Sequence, residues 1–143
     1  MLKANTHLHF NGRCLEAFKF YEKCLGGKIT FSLTWGESPA AKQVPAEWGG
    51  KIIHASFEFD GQMLSGDDAP PGSYYKPQGF QVVLGATDVA QAEKIFKALS
   101  EKGEIRMPFA KTFWSPGFGM MLDQFGTPWM VNCSDPVLSK GPQ

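Results

Sequence analysis

His7, His9 and His54 are the three histidines of the chain, and imidazole is the side chain best suited to move protons near neutral pH or to hold a transition metal. His7 and His9 stand in THLHF, where an alternation of two turns Leu8 and Phe10 toward a core and leaves Asn5, His7 and His9 on the opposite face. A strand histidine is more often a hydrogen-bonded wall residue than a ligand, so a ligand-contacting role for His7 needs support from elsewhere. His54 shares its face with Ser56 and Glu58, opposite Ile53, Ala55, Phe57 and Phe59, and reads first as part of a polar sheet face.

The other reactive types say less. Cys14 and Cys24 fall on the apolar side of a helical pattern, where a thiol behaves as a small hydrophobe. Cys133 has no basic neighbour in sequence to make it a thiolate. There is no GxSxG, no phosphate-binding glycine loop and no dinucleotide fingerprint. Among the tryptophans, Trp129 alternates with Met130 and is expected to pack on a helix. Trp35 and Trp114 come at strand ends beside loops, where an aromatic ring can form the rim of a pocket.

The elements that position these residues occur twice. A strand at Thr6 to Phe10 precedes a helix whose apolar residues, Cys14, Ala17, Phe18, Tyr21, Cys24 and Leu25, follow the three-four spacing, with Gly26 and Gly27 to stop it. A second strand at Phe80 to Leu84 precedes a helix with Val89, Ala92, Ile95, Phe96 and Leu99 on one face and Asp88 as its cap. Matching features lie roughly 75 residues apart, too long for the ~20 to 50 residues of a solenoid repeat, which suggests one duplicated unit.

Three strands are expected after each helix. In the first half they run from Lys28 to Trp35, Lys51 to Phe59 and Gln62 to Gly66, with Asp60-Gly61 as a tight turn. In the second they run from Glu104 to Trp114, Gly117 to Leu122 and Thr127 to Cys133, the last two joined by Asp123-Gln124-Phe125-Gly126. The expected division of the single domain 1–143 is module one at 1–67, a linker at 68–78, module two at 79–135 and a tail at 136–143.

Composition removes several classes of function. Fourteen basic side chains balance fourteen acidic ones, so no large net field attracts nucleic acid or an anionic membrane. No run approaches the ~20 apolar residues of a membrane span. Three cysteines without CxxC spacing, and no signal peptide at the start, point to free thiols in a reducing, cytoplasmic compartment.

The order of elements, together with YEKCLGGK, HASFEFDGQMLSGD and FWSPGFGMMLDQFGTPWMVN, resembles the PhnB-like branch of the vicinal oxygen chelate superfamily, the glyoxalase and bleomycin-resistance fold. The resemblance implies an α+β fold of two βαβββ modules whose eight strands curl into an open, barrel-like cleft with helices outside, and a homodimer. It also implies a divalent ion held by one residue from the first and one from the last strand of each module, usually His and Glu. On this sequence those places fall near Asn5, with His7 one step further along; at Ser65-Gly66-Asp67; at Gln81; and at Met130, with Asn132 following on the same face.

Gln81 is a weak neutral donor and Met130 a soft one, so the expectation is no built-in metal and no cofactor. A small molecule would then lie in a cleft lined by Asn5, His7, His9, Trp35, Ser65, Asp67, Gln81, Trp114, Met130 and Asn132. Two alternatives stand beside this one. The first is a divalent-metal lyase, isomerase or dioxygenase in which His7, Asp67 and either His9 or His54 converge, although no spacing motif supports it. The second is an interaction module whose cleft is filled by its own side chains. A ubiquinone methyltransferase is disfavoured, because no motif for the methyl donor is visible.

Overall fold

The computed structural model describes residues 1–134, so the end of module two at 135 and the tail at 136–143 lie outside the described residues. The chain divides into two compact units, Met1–Lys76 and Pro77–Gln143. Unit 1 contains β1 (Thr6–Phe10), α1 (Cys14–Leu25), β2 (Lys28–Thr34), β3 (Ile52–Phe59) and β4 (Gln62–Asp68). Unit 2 contains β5 (Val82–Ala86), α2 (Val89–Leu99), β6 (Glu104–Ala110), β7 (Phe118–Leu122) and β8 (Pro128–Cys133). The expected βαβββ order is present twice. The eight strands form two open four-stranded sheets, ordered β1-β4-β3-β2 and β5-β8-β7-β6.

In unit 1, α1 buries Cys14, Ala17, Phe18 and Tyr21 against the sheet face that carries Leu8, Phe10, Ala55, Phe57 and Leu64. The contact is close enough that a side chain on Gly66 would collide with the Phe18 ring, at 2.8 Å, and with the carbonyl of Leu8, at 3.1 Å. The start of α1 has no side-chain cap from its own N-cap residue, Arg13. The buried Asp68 supplies one from β4: its Oδ1 accepts from the N–H groups of Gly12 and Cys14, and its Oδ2 from that of Ile52. One carboxylate thus ties the helix start, β3 and β4 together. Gly26 ends α1 in the left-handed region at φ 77°, its N–H donating to Glu22.

In unit 2, Asp88 caps α2 as expected, accepting from the N–H groups of Ala90 and Gln91. Trp129 is fully buried and its indole N–H donates to Asp123 Oδ2 at 2.8 Å. Asp123 also accepts from the N–H groups of Phe125 and Thr127, which fixes the turn between β7 and β8.

Several boundaries differ from the sequence expectation for identifiable reasons. β4 continues through Asp67 and Asp68, because both are paired to β1, as His9↔Asp67 and Phe10↔Asp68. β5 begins at Val82, so Phe80 and Gln81 precede the strand. β6 ends at Ala110, since Thr112 and Ser115 close a turn on each other that takes Phe113 and Trp114 out of the sheet. The loop between β2 and β3 holds two short 3-10 turns, Ala41–Gln43 and Ala46–Trp48.

Candidate functional site

The decisive geometry in unit 1 comes from the parallel pairing of β1 with β4. The register His7↔Ser65 and His9↔Asp67 places four polar side chains on one sheet face, opposite the face covered by α1. Ser65 Oγ lies 2.6 Å from His7 Nδ1, Asp67 Oδ2 lies 2.7 Å from His7 Nε2, and Asp67 Oδ1 lies 3.0 Å from His9 Nδ1. Asp67 therefore accepts from two imidazoles at once. His54, brought alongside by β3, stacks on His7 with ring centroids 5.8 Å apart, and His9 meets His7 edge-on at 5.0 Å. All three histidines of the chain thus gather on this face. Ser65 is buried, and Asp67 is less exposed than the two rings it accepts from, with its side chain 17% accessible against 35% for His7 and 61% for His9.

Beside the cluster, at the end of the same sheet, is a pocket of about 400 Å³ lined by His9 and Asp67 on one side and by Trp35, Ile53, Ala69 and Tyr75 on others. Trp35 is fixed by its indole N–H, which donates to the carbonyl of Asp68 at 3.0 Å. Tyr75 is exposed. Of these residues, His9, Trp35 and Asp67 were legible as candidates. Ile53, Ala69 and Tyr75 were not; the one available signal was the Tyr74-Tyr75 pair, two aromatics in a segment otherwise rich in proline and glycine.

Residues 7–131 match the Glyoxalase/Bleomycin resistance protein/Dioxygenase superfamily. The chain belongs to this superfamily. It is 33% identical over 136 residues to protein YjdN of Escherichia coli strain K12, covering 90% of this chain and 92% of that one. The crystal structure of protein PA1353 from Pseudomonas aeruginosa is 40% identical, with a TM-score of 0.85 over 94% of this chain and 98% of that one. The PhnB protein of Bacillus cereus, 23% identical, shares the fold with a TM-score of 0.78 over 93% and 100% of the two chains.

The superfamily's metal positions can be tested against the residues standing there. Asn5 is exposed and lies ahead of β1. Ser65, buried on β4, is engaged by His7. In unit 2, Gln81 Nε2 donates to the Met120 sulfur at 3.3 Å, and Met130 on β8 is paired between Val83 and Met120. None of these four side chains is an imidazole or a carboxylate; His7 and Asp67, named beside Asn5 and Ser65, bring those groups in unit 1, while Gln81 and Met130 in unit 2 do not match the His and Glu set of a hard divalent ion. The open face of unit 2 is instead soft and apolar. Asn132 follows Met130 there, between Gly85 and Phe118, with its buried Oδ1 lacking a hydrogen-bond donor. Trp114 lies in the turn after β6, edge-on to Phe113 at 4.7 Å and to Phe118 at 5.2 Å.

The thiols stay out of this chemistry. None of the three cysteines is in a disulfide. Burial pushes the Cys14 thiol far up, with the charges of Asp68 and Asp67 adding to the effect, and burial also raises Cys133, helped by Asp88. No helix among the described residues is long and apolar enough to cross a membrane.

Proposed function

We propose that this chain binds a small organic molecule in the pocket of unit 1, with the aromatic and apolar wall of Trp35, Ile53 and Tyr75 holding its body and His9 and Asp67 orienting its polar end. The observation that carries this reading is the pocket itself: about 400 Å³, with an imidazole and a carboxylate meeting apolar side chains. Small-molecule sites commonly span roughly 300 to 1,000 Å³ and combine apolar walls with a few fixed polar groups. The carboxylate favours a ligand that brings an N–H or O–H to that end. Its neutral overall charge and the lack of arginine in the pocket lining give phosphonates less support than aromatic or carbonyl compounds.

The same reading includes self-association and a reducing, cytoplasmic setting. Phe80, Val83 and Ile105 of unit 2 are exposed apolar side chains that a second copy would cover, and the three thiols are all reduced. Light scattering after gel filtration reads the first: a dimer mass supports it and a monomer mass at all concentrations removes it.

The test of the pocket is calorimetry on the metal-stripped chain against aromatic, carbonyl and phosphonate compounds. At least one class binds with unit stoichiometry, and Tyr75→Ser weakens it by about tenfold or more, the equivalent of ~1.4 kcal/mol. No binding in any class, or binding indifferent to Tyr75→Ser and Asp67→Asn, overturns the proposal.

A further inference from the structure

We infer that the pocket of unit 1 takes an organic cation, a protonated amine on an apolar or aromatic body, with Asp67 as its counter-ion and the rings of Trp35 and Tyr75 beside its charge; this rests on the pocket reading above and names the class of the ligand. The first support is an unbalanced negative charge. Asp67 accepts from His7 Nε2 at 2.7 Å and from His9 Nδ1 at 3.0 Å. The His7 bond belongs to a chain that closes with a neutral ring: the Ser65 hydroxyl donates to His7 Nδ1 at 2.6 Å, and His7 Nε2–H donates to Asp67. A neutral imidazole satisfies a hydrogen bond without bringing a positive charge, so the carboxylate keeps its own.

The protein's cations do not supply the missing charge. Among the described residues, neither lysine nor arginine lines the pocket. Lys51, next to the start of β3, is engaged elsewhere, donating to the Gly12 carbonyl at 3.0 Å. The adjacent Asp68 adds a second negative charge at the end of β4, held by three backbone N–H groups. A carboxylate offers about four lone-pair sites, and Asp67 has spent one on each oxygen, so each oxygen can still accept from a ligand. A charge beside apolar walls is costly to leave unpaired, and an ammonium N–H relieves it through a short, charge-assisted bond.

The second support is the walls. Trp35 has its indole N–H spent on the Asp68 carbonyl at 3.0 Å, so its ring is what it offers the pocket. Tyr75 lines the same space while 83% exposed, a large ring left for a ligand to cover. Aromatic faces attract cations, and aromatic rings around a carboxylate select an ammonium over a neutral or anionic analogue. Ile53, Ala69 and Pro70 give the body of the ligand apolar surface.

The test compares 2-phenylethylammonium, 2-phenylethanol and phenylacetate, which differ chiefly in charge, by calorimetry on the full chain at pH 8. The ammonium binds about tenfold or more tightly than the alcohol, and phenylacetate binds most weakly. Asp67→Asn weakens the ammonium by about tenfold or more and removes its preference over the alcohol. Tyr75→Phe keeps the affinity for the ammonium, whereas Tyr75→Leu, apolar but without a ring, lowers it by about 3- to 30-fold. Because Tyr75 is exposed, both of its variants keep the far-UV spectrum and melting temperature of the parent. An alcohol or carboxylate that binds as tightly as the ammonium, or an ammonium indifferent to Asp67→Asn or to Tyr75→Leu, overturns the inference and leaves the pocket reading standing. Failure of the ammonium to bind also overturns it, and the pocket reading falls as well only where no aromatic, carbonyl or phosphonate compound binds.

Discussion

Asp68→Asn perturbs the one side chain that joins the helix start to the sheet without altering its size. Asp68 is 1% exposed, with Oδ1 shared by the N–H groups of Gly12 and Cys14 and Oδ2 taken by that of Ile52, all at 2.9 Å. Asparagine keeps one oxygen for the first two donors and turns an NH2 group toward the N–H of Ile52. One charge-assisted hydrogen bond is lost, two donors face each other in a buried site, and the favourable charge at the start of α1 disappears. A hydrogen bond to a charged group contributes about 1.5 to 3 kcal/mol, and the helix-end charge roughly 0.3 to 1. The expected loss is therefore about 3 kcal/mol. Urea unfolding followed by far-UV circular dichroism reads it: with a slope of roughly 2 kcal/mol per molar, the midpoint falls by about 1.5 M. A midpoint within about 0.3 M of the parent would refute the idea that Asp68 organises unit 1.

Gly66→Ala is expected to lower the melting temperature by several degrees, since the added carbon meets Phe18 and Leu8 and overpacking costs about 1 to 3 kcal/mol. Gly85→Ala in unit 2, with nothing within 4 Å of the new carbon, serves as the control and changes little in a calorimetric scan. Cys14 is expected to resist iodoacetamide at pH 8 in the native protein, being fully buried with its thiol pushed far up. Mass mapping reads this, and native Cys14 alkylated as fast as a small free thiol would contradict it.

Local pattern carried the fold further than it carried the site. The alternation of Leu8 and Phe10 with His7 and His9, the three-four spacing in α1 and α2, and the Asp88 cap are short-range signals, and each element formed where its signal lay. Asp67 and Asp68 looked like the start of a linker because acidic pairs are poor strand formers. What keeps them in β4 is the partner strand 58 residues earlier in the chain. The same distance left the cluster without a signature: H-x-H on one strand has no metal-ligand spacing by itself, so the convergence of His7, Asp67 and a second histidine stood only as an alternative, and the parallel register is what sets Asp67 against both rings. Tyr75 was missed because a pocket at the end of a sheet is closed by loops, whose path no periodicity encodes, and Ile53 because the alternation assigned it to the apolar face with Ala55 and Phe57, whereas Ile52 is the buried residue at that end of β3 and Ile53 lines the pocket.

The most direct test places the function on the polar face of unit 1, and the three histidines make it accessible to nuclear magnetic resonance. Chain labelled with 15N at histidine and tryptophan is stripped of metal and mixed with each aromatic, carbonyl or phosphonate compound that binds in calorimetry. The account predicts that bound compounds shift the ring signals of His9 and the indole signal of Trp35, while Trp114 and Trp129 stay in place. Shifts confined to Trp114 or Trp129 of unit 2, with His9 and Trp35 unmoved, would contradict it.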